Sequence, residues 1–220
     1  MKFLTPLIFL SLALPALAQD LEAKWGETIA KFEAGDKEKA PPKDAILFVG
    51  SSSIRMWKLD VSWPDRVTIN RGFGGSTTAD LLHFFERIVT PYKPKAIVVY
   101  EGDNDVSKGL SADEVFADYQ KLIAKIDEQL PGTPLIFIAI KPSIKRWKMW
   151  PVMNDANQQI AKFSETRDTL YFADIGKAML ATESGQLDPS HFKEDGLHLT
   201  ADGYKIWKSV IEPILETALK

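Results

Sequence analysis

Five short segments, residues 45–49, 67–69, 96–100, 135–140 and 170–173, are near-continuous runs of Val, Ile, Leu and Phe rather than alternations of apolar and polar residues. A strand that is apolar on both faces must be covered on both faces, and the parallel sheet is the arrangement that does so. Helical patterns lie between the runs. The clearest spans residues 112–130. It is entered through Ser111-Ala112-Asp113-Glu114, a capping-box spacing in which each side chain satisfies the other's backbone donor, and it is stopped by Pro131-Gly132. Residues 77–89 and 201–219 have similar apolar spacing, with Thr200 as N-cap of the latter. Strands alternating with helices imply right-handed crossovers, which predicts an α/β sandwich around a doubly wound sheet.

In such a sheet, ligands sit beyond the carboxyl ends of the strands. Four polar segments fall there: Ser51 to Ser53 after the first strand, Gly72 to Ser76 after the second, Gly102 to Asp105 after the third, and Asp195 to His198 in the long loop after the fifth. Their residue types suit a serine hydrolase. A hydroxyl is a poor nucleophile at neutral pH, so it needs an imidazole to take its proton and a carboxylate to fix that imidazole. Asp195 and His198, three apart in a short turn, suit this pairing. Asp188 and His191 repeat the spacing but read as surface loop, and His83 falls within a helix.

Each segment also has a plainer reading. The serines at 51, 52 and 53 would cap the next helix, and a backbone N–H at that helix start favours negative charge whichever of them is functional. Asn70-Arg71-Gly72-Phe73-Gly74-Gly75-Ser76 would serve as a tight turn; no Lys-Ser or Lys-Thr pair follows it, which excludes a phosphate loop. Asn104 and Asp105 would bond their own backbone, although the Asn104 amide can also donate to an oxyanion while uncharged. The convergence of the four segments carries more weight than any one of them.

Composition narrows the field. The chain has a formal net charge of −3, which gives no reason to expect nucleic-acid binding. It has no cysteine, hence no disulfide or thiolate chemistry, and three histidines are too few to suggest a transition-metal site. Residues 1–18 combine a basic start, an apolar middle and an Ala16-Leu17-Ala18 ending, which reads as a signal peptide cleaved after Ala18. The expectation is one exported domain, residues 19–220, periplasmic or secreted, with no membrane segment after cleavage.

With these segments in hand, the chain resembles the SGNH hydrolase superfamily of GDSL-type esterases and lipases, whose four sequence blocks appear in order across residues 46–207. The resemblance implies a flavodoxin-like three-layer α/β/α sandwich on a five-stranded parallel sheet, with no metal or organic cofactor. It implies Ser52 as nucleophile, completed by His198 and Asp195, with the backbone N–H of Ser52, Gly75 and Asn104 as oxyanion donors. Ser51 stands where the family has aspartate, which leaves Ser53 as a competing nucleophile. The implied substrates are small-molecule, glycan or lipid esters. Lysophospholipase, thioesterase or a non-catalytic glycan- or lipid-binding protein are the alternatives. The segment from Lys141 to Trp150 should overhang the same edge, where Trp147, Trp150 and four cations would shape substrate choice.

Overall fold

The computed structural model of the protein describes residues 13–181 and 185–220, with side chains from residue 20 onward. The expected leader, residues 1–18, lies largely outside the described residues. The first helix, α1 (Ala13–Glu38), crosses the expected cleavage point.

Five parallel strands follow the predicted runs: β1 (Ile46–Gly50), β2 (Thr68–Gly72), β3 (Ala96–Tyr100), β4 (Leu135–Ile138) and β5 (Leu170–Ala173). They pair in the order β2-β1-β3-β4-β5. Successive strand side chains point to opposite faces, so a fully apolar strand feeds two cores at once. Leu47 and Val49 of β1 join one core while Ile46 and Phe48 join the other, and β3 divides likewise. The first core is covered by α1, α4 (Thr78–Ile88), α6 (Ala112–Gln129) and α7 (Trp150–Ser164). The second is covered by the short α2 (Ser52–Arg55) and α3 (Leu59–Ser62), by α8 (Ile175–Leu180), and by α9 (Ala201–Ala218), which contributes Trp207, Ile211 and Leu215. The result is the three-layer α/β/α sandwich.

The caps read from the sequence are present: the Ser111 and Glu114 side chains close a capping box, and Thr200 accepts the Gly203 N–H. Two strand ends moved for identifiable reasons. β4 stops at Ile138 rather than 140 because the Asn157 amide, on α7, takes both the N–H and the carbonyl of Ile140, each at 2.8 Å. β2 runs on to Gly72 because Asn70 and Arg71, too polar for an interior strand, occupy a sheet edge; the Asn70 amide there donates to the Ile54 carbonyl at 2.7 Å. In this strand order the chain reverses direction across the sheet between β1 and β3, which places a crevice beyond their carboxyl ends. Among the described residues no helix is long and apolar enough to cross a membrane.

Candidate active site

β1 delivers its serines through a turn that only glycine can make. Gly50 has φ +131°, and a Cβ there would lie 2.1 Å from the Tyr100 carbonyl oxygen of neighbouring β3. The chain then enters α2, which separates the three serines. Ser51 and Ser53 are each only 2% exposed, and the Ser53 carbonyl accepts the Tyr204 hydroxyl at 2.7 Å. Ser52 alone is partly open, and its Oγ lies 2.9 Å from Nε2 of His198. The helix is four residues long. A macrodipole on one turn is slight, so the helix-start advantage expected at Ser52 reduces to its own backbone N–H, which has no intrahelical acceptor.

The histidine stands on a short turn bonded mostly within itself, with one outside tie where the Gly196 carbonyl accepts the Lys145 N–H at 3.0 Å. Gly196, at φ +63°, lets the chain reverse, and the carbonyl of His198 accepts the Lys193 N–H at 2.7 Å. Asp195 organises the rest: Oδ1 accepts the N–H groups of Leu197 and His198, both at 2.9 Å, and Oδ2 meets His198 Nδ1 at 2.5 Å. Burial works to raise the Asp195 pKa, but these three hydrogen bonds outweigh it and hold the carboxyl well below the usual carboxylate range. An ionised Asp195 can only accept, so it places the imidazole proton on Nδ1 and turns the Nε2 lone pair toward Ser52. The other histidines sit elsewhere. His83 packs edge-on against Phe84, and His191 lies 3.8 Å from Asp188.

The two further oxyanion candidates occupy adjoining loops. Gly75 has φ +82°, which favours glycine, and the loop it belongs to is tied to β1 where the Phe73 N–H donates to the Gly50 carbonyl at 2.8 Å. Asn104 is the second residue of α5 (Asp103–Ser107), and its Nδ2 donates to the Ser76 carbonyl at 2.8 Å. A primary amide nitrogen carries two hydrogens, so one remains for a ligand. Behind them lies a pair of carboxyls: Glu101, which the sequence did not single out, and Asp105, which bonds its own backbone at Gly102 as expected. Glu101 is buried and accepts the Ser76 hydroxyl at 2.6 Å; Asp105 is buried and accepts the N–H groups of Thr78 and Gly102 at 2.9 and 3.1 Å. Burial, reinforced by the charge of Asp105, pushes the Glu101 carboxyl well above its usual range.

The segment after β4 differs from expectation in its charges. Lys141 is buried, donating to Asp103 Oδ2 at 2.5 Å and to the Tyr100 hydroxyl at 3.0 Å. Arg146 Nη1 meets Asp103 Oδ1 at 2.5 Å, and Nη2 donates to Asn104 Oδ1 at 3.1 Å. Two of the four cations are therefore tied to one buried aspartate, and only Lys145 and Lys148 remain exposed. The tryptophans also part company. Trp150 opens α7 and packs its ring against Gly176, whereas Trp147 is 47% exposed. With Ile144, Leu187 and Pro189, Trp147 lines a cavity of about 420 Å³. Ile144 also packs against Gly196, so this apolar wall adjoins the turn that carries His198.

Comparison with known proteins agrees with this architecture. Solved structures with the same fold include a Streptococcus pneumonia protein provisionally named a platelet activating factor (21% identity, TM-score 0.77, covering 92% of this chain and 98% of that one). A GDSL-like lipase from Bacteroides thetaiotaomicron is similar at 20% identity and a TM-score of 0.73, over 87% of this chain and 98% of its own. A catalytic mutant of an acetylxylan esterase from Geobacillus stearothermophilus is similar at 19% identity and 0.64, over 83% and 97%. A search of curated proteins gives no match. The model of the GDSL-like Lipase/Acylhydrolase family matches residues 53–206. That match opens one residue past Ser52, so the place of the hydroxyl rests on its contact with His198. With the match covering most of its length, the chain belongs to the GDSL-like Lipase/Acylhydrolase family, within the SGNH hydrolase superfamily.

Proposed function

We propose that this protein is an exported serine esterase that cleaves short-chain or O-acetyl esters through an acyl-enzyme. The observation that carries the reading is the unbroken relay from Ser52 Oγ to His198 Nε2 at 2.9 Å and from His198 Nδ1 to Asp195 at 2.5 Å. Ser52 Oγ attacks the ester carbonyl while His198 Nε2 accepts the hydroxyl proton, and Asp195 stabilises the imidazolium that forms. The carbonyl oxygen, now an anion, is received by the N–H groups of Ser52 and Gly75 and by the free hydrogen of the Asn104 amide. Collapse expels the alcohol, which takes the proton back from His198. Water then attacks the acyl-enzyme with the same histidine as base and releases the acid.

Two features bear on the substrate. Ser52 and His198 are partly exposed, so a bulky alcohol does not need to be enclosed. The open face of Trp147 beside the His198 turn offers a platform of the kind that sugar rings or acyl chains pack on. The acetylxylan esterase on the same fold favours an O-acetylated glycan. Residues 1–18 support export, which points to envelope or extracellular esters.

The test is a fluorophosphonate probe together with a chromogenic ester panel of graded acyl length that includes acetylated sugars. The wild type should label and should turn over the shortest acyl groups fastest, while Ser52→Ala should do neither. Labelling that persists in Ser52→Ala would remove Ser52 as nucleophile.

A further inference from the structure

A side-chain amide presents an oxygen at one end and a nitrogen at the other in nearly the same shape, and only the nitrogen can donate to an oxyanion. The Asn104 amide is held between two anchors of opposite polarity. The Ser76 carbonyl can only accept, and it takes Nδ2 at 2.8 Å; the Arg146 guanidinium can only donate, and its Nη2 meets Oδ1 at 3.1 Å. Rotating the amide by half a turn would set oxygen against oxygen at Ser76 and nitrogen against nitrogen at Arg146. Both contacts would become repulsive.

Arg146 is itself fixed. Its Nη1 donates to the Asp103 carbonyl at 2.9 Å and meets Asp103 Oδ1 at 2.5 Å, while the other carboxylate oxygen is held by Lys141 at 2.5 Å. The guanidinium is planar, so two nitrogens anchored on adjacent residues leave it one orientation. We infer that Arg146 is a positioning residue for the ester hydrolysis proposed above, fixing the Asn104 amide with its nitrogen toward the oxyanion. The inference rests on that reading of the site. Asp103 accounts for the inward turn of this cation, and the positioning role accounts for its other nitrogen, Nη2, being directed to the neutral amide of Asn104, 42 residues away.

A double-mutant cycle with Arg146→Ala and Asn104→Ala, read as kcat and KM on a short-chain chromogenic ester, tests it. Arg146→Ala should lower kcat by about 10- to 100-fold, the weight of a hydrogen bond to a charged group, with KM within about twofold. In the Asn104→Ala background the same change should cost nothing further, because the amide it positions is gone. Asp103 keeps Lys141 as partner in the variant, so no buried charge is left bare, and a circular dichroism melt checks this. Arg146→Lys supplies a second reading: an ammonium keeps the charge beside Asp103 but cannot bridge both residues, so it too should lower kcat. A raised KM with kcat intact would make Arg146 a substrate contact and overturn the inference. Equal losses in both backgrounds would overturn it as well. If Asn104→Ala is slow and Arg146→Ala is not, this inference alone falls; if Asn104→Ala is itself as fast as wild type, the oxyanion reading falls with it.

Discussion

Asp195 and His198 stand three residues apart on a turn whose hydrogen bonds are nearly all its own, and the Asp195 side chain is 39% exposed. Asn104 is the opposite case. Its amide is gripped by Ser76, 28 residues away, and by Arg146, 42 residues away, and behind it lie Glu101, Asp103 and Asp105, all buried. The proposed base half of the site is thus written in one four-residue turn, whereas the proposed anion-binding half exists only after distant segments have packed. Damage to the first should be chemical and local. Damage to the second should mix catalysis with folding.

The largest expected effect tests the local half. Asp195→Ala removes the acceptor that fixes the His198 tautomer, and kcat should fall roughly 10,000-fold. Because the turn is exposed and short, the melting temperature should move little. A large loss of stability with the loss of rate would mean that the turn is less independent than its bonds suggest. Next comes Asn104→Ala, for which kcat should fall by about 100- to 1000-fold, the cost of one oxyanion donor. Here stability should drop measurably, since Ser76 and Arg146 each lose a partner. An unchanged kcat would take Asn104 out of the mechanism.

The same contrast explains what the sequence could disclose. The strands were readable because β1, β3 and β4 are apolar on both faces, and the caps were readable because Ser111 with Glu114, and Thr200 with Gly203, act over three residues. The Asp195–His198 pairing was legible for the same reason of range. Helix α1 did carry a signal, though a short one: Leu21, Trp25, Ile29 and Phe32 recur at helical spacing and pack on the first core, with only Trp25 and Ile29 buried. α7 hid because its inner face includes Asn157 and Ser164. Lys141 and Arg146 read as surface charges, since nothing within a few residues reveals that Asp103 awaits them on the far side of the cleft. Among the three serines, spacing could not choose. In the fold, Ser51 and Ser53 are buried and Ser52 is partly open.

The smallest predicted effect concerns Glu101, one of the buried carboxyls behind the proposed anion-binding half. Its Oε1 accepts the Ser76 hydroxyl, and its Oε2 has no partner among the described residues. Burial raises its folded pKa well above that of the unfolded chain, so between the two values the native state holds a proton that the unfolded state has released. Stability then falls as pH rises through that window, from mildly acidic pH upward, because deprotonation is available only to the unfolded chain. Glu101→Gln keeps the acceptor for Ser76 and cannot ionise. The variant should melt with the wild type near pH 4 and a few degrees above it at pH 8 to 9, measured by thermal unfolding across that range. Asp105, raised in the same direction by its own burial, keeps its carboxyl in the variant, so the pH-dependent difference between the two curves reports Glu101 together with its coupling to Asp105. Parallel curves would mean that Glu101 is ionised in the folded protein, and Ser76, with the Asn104 amide it holds, would then be anchored by a charge rather than by a neutral acid.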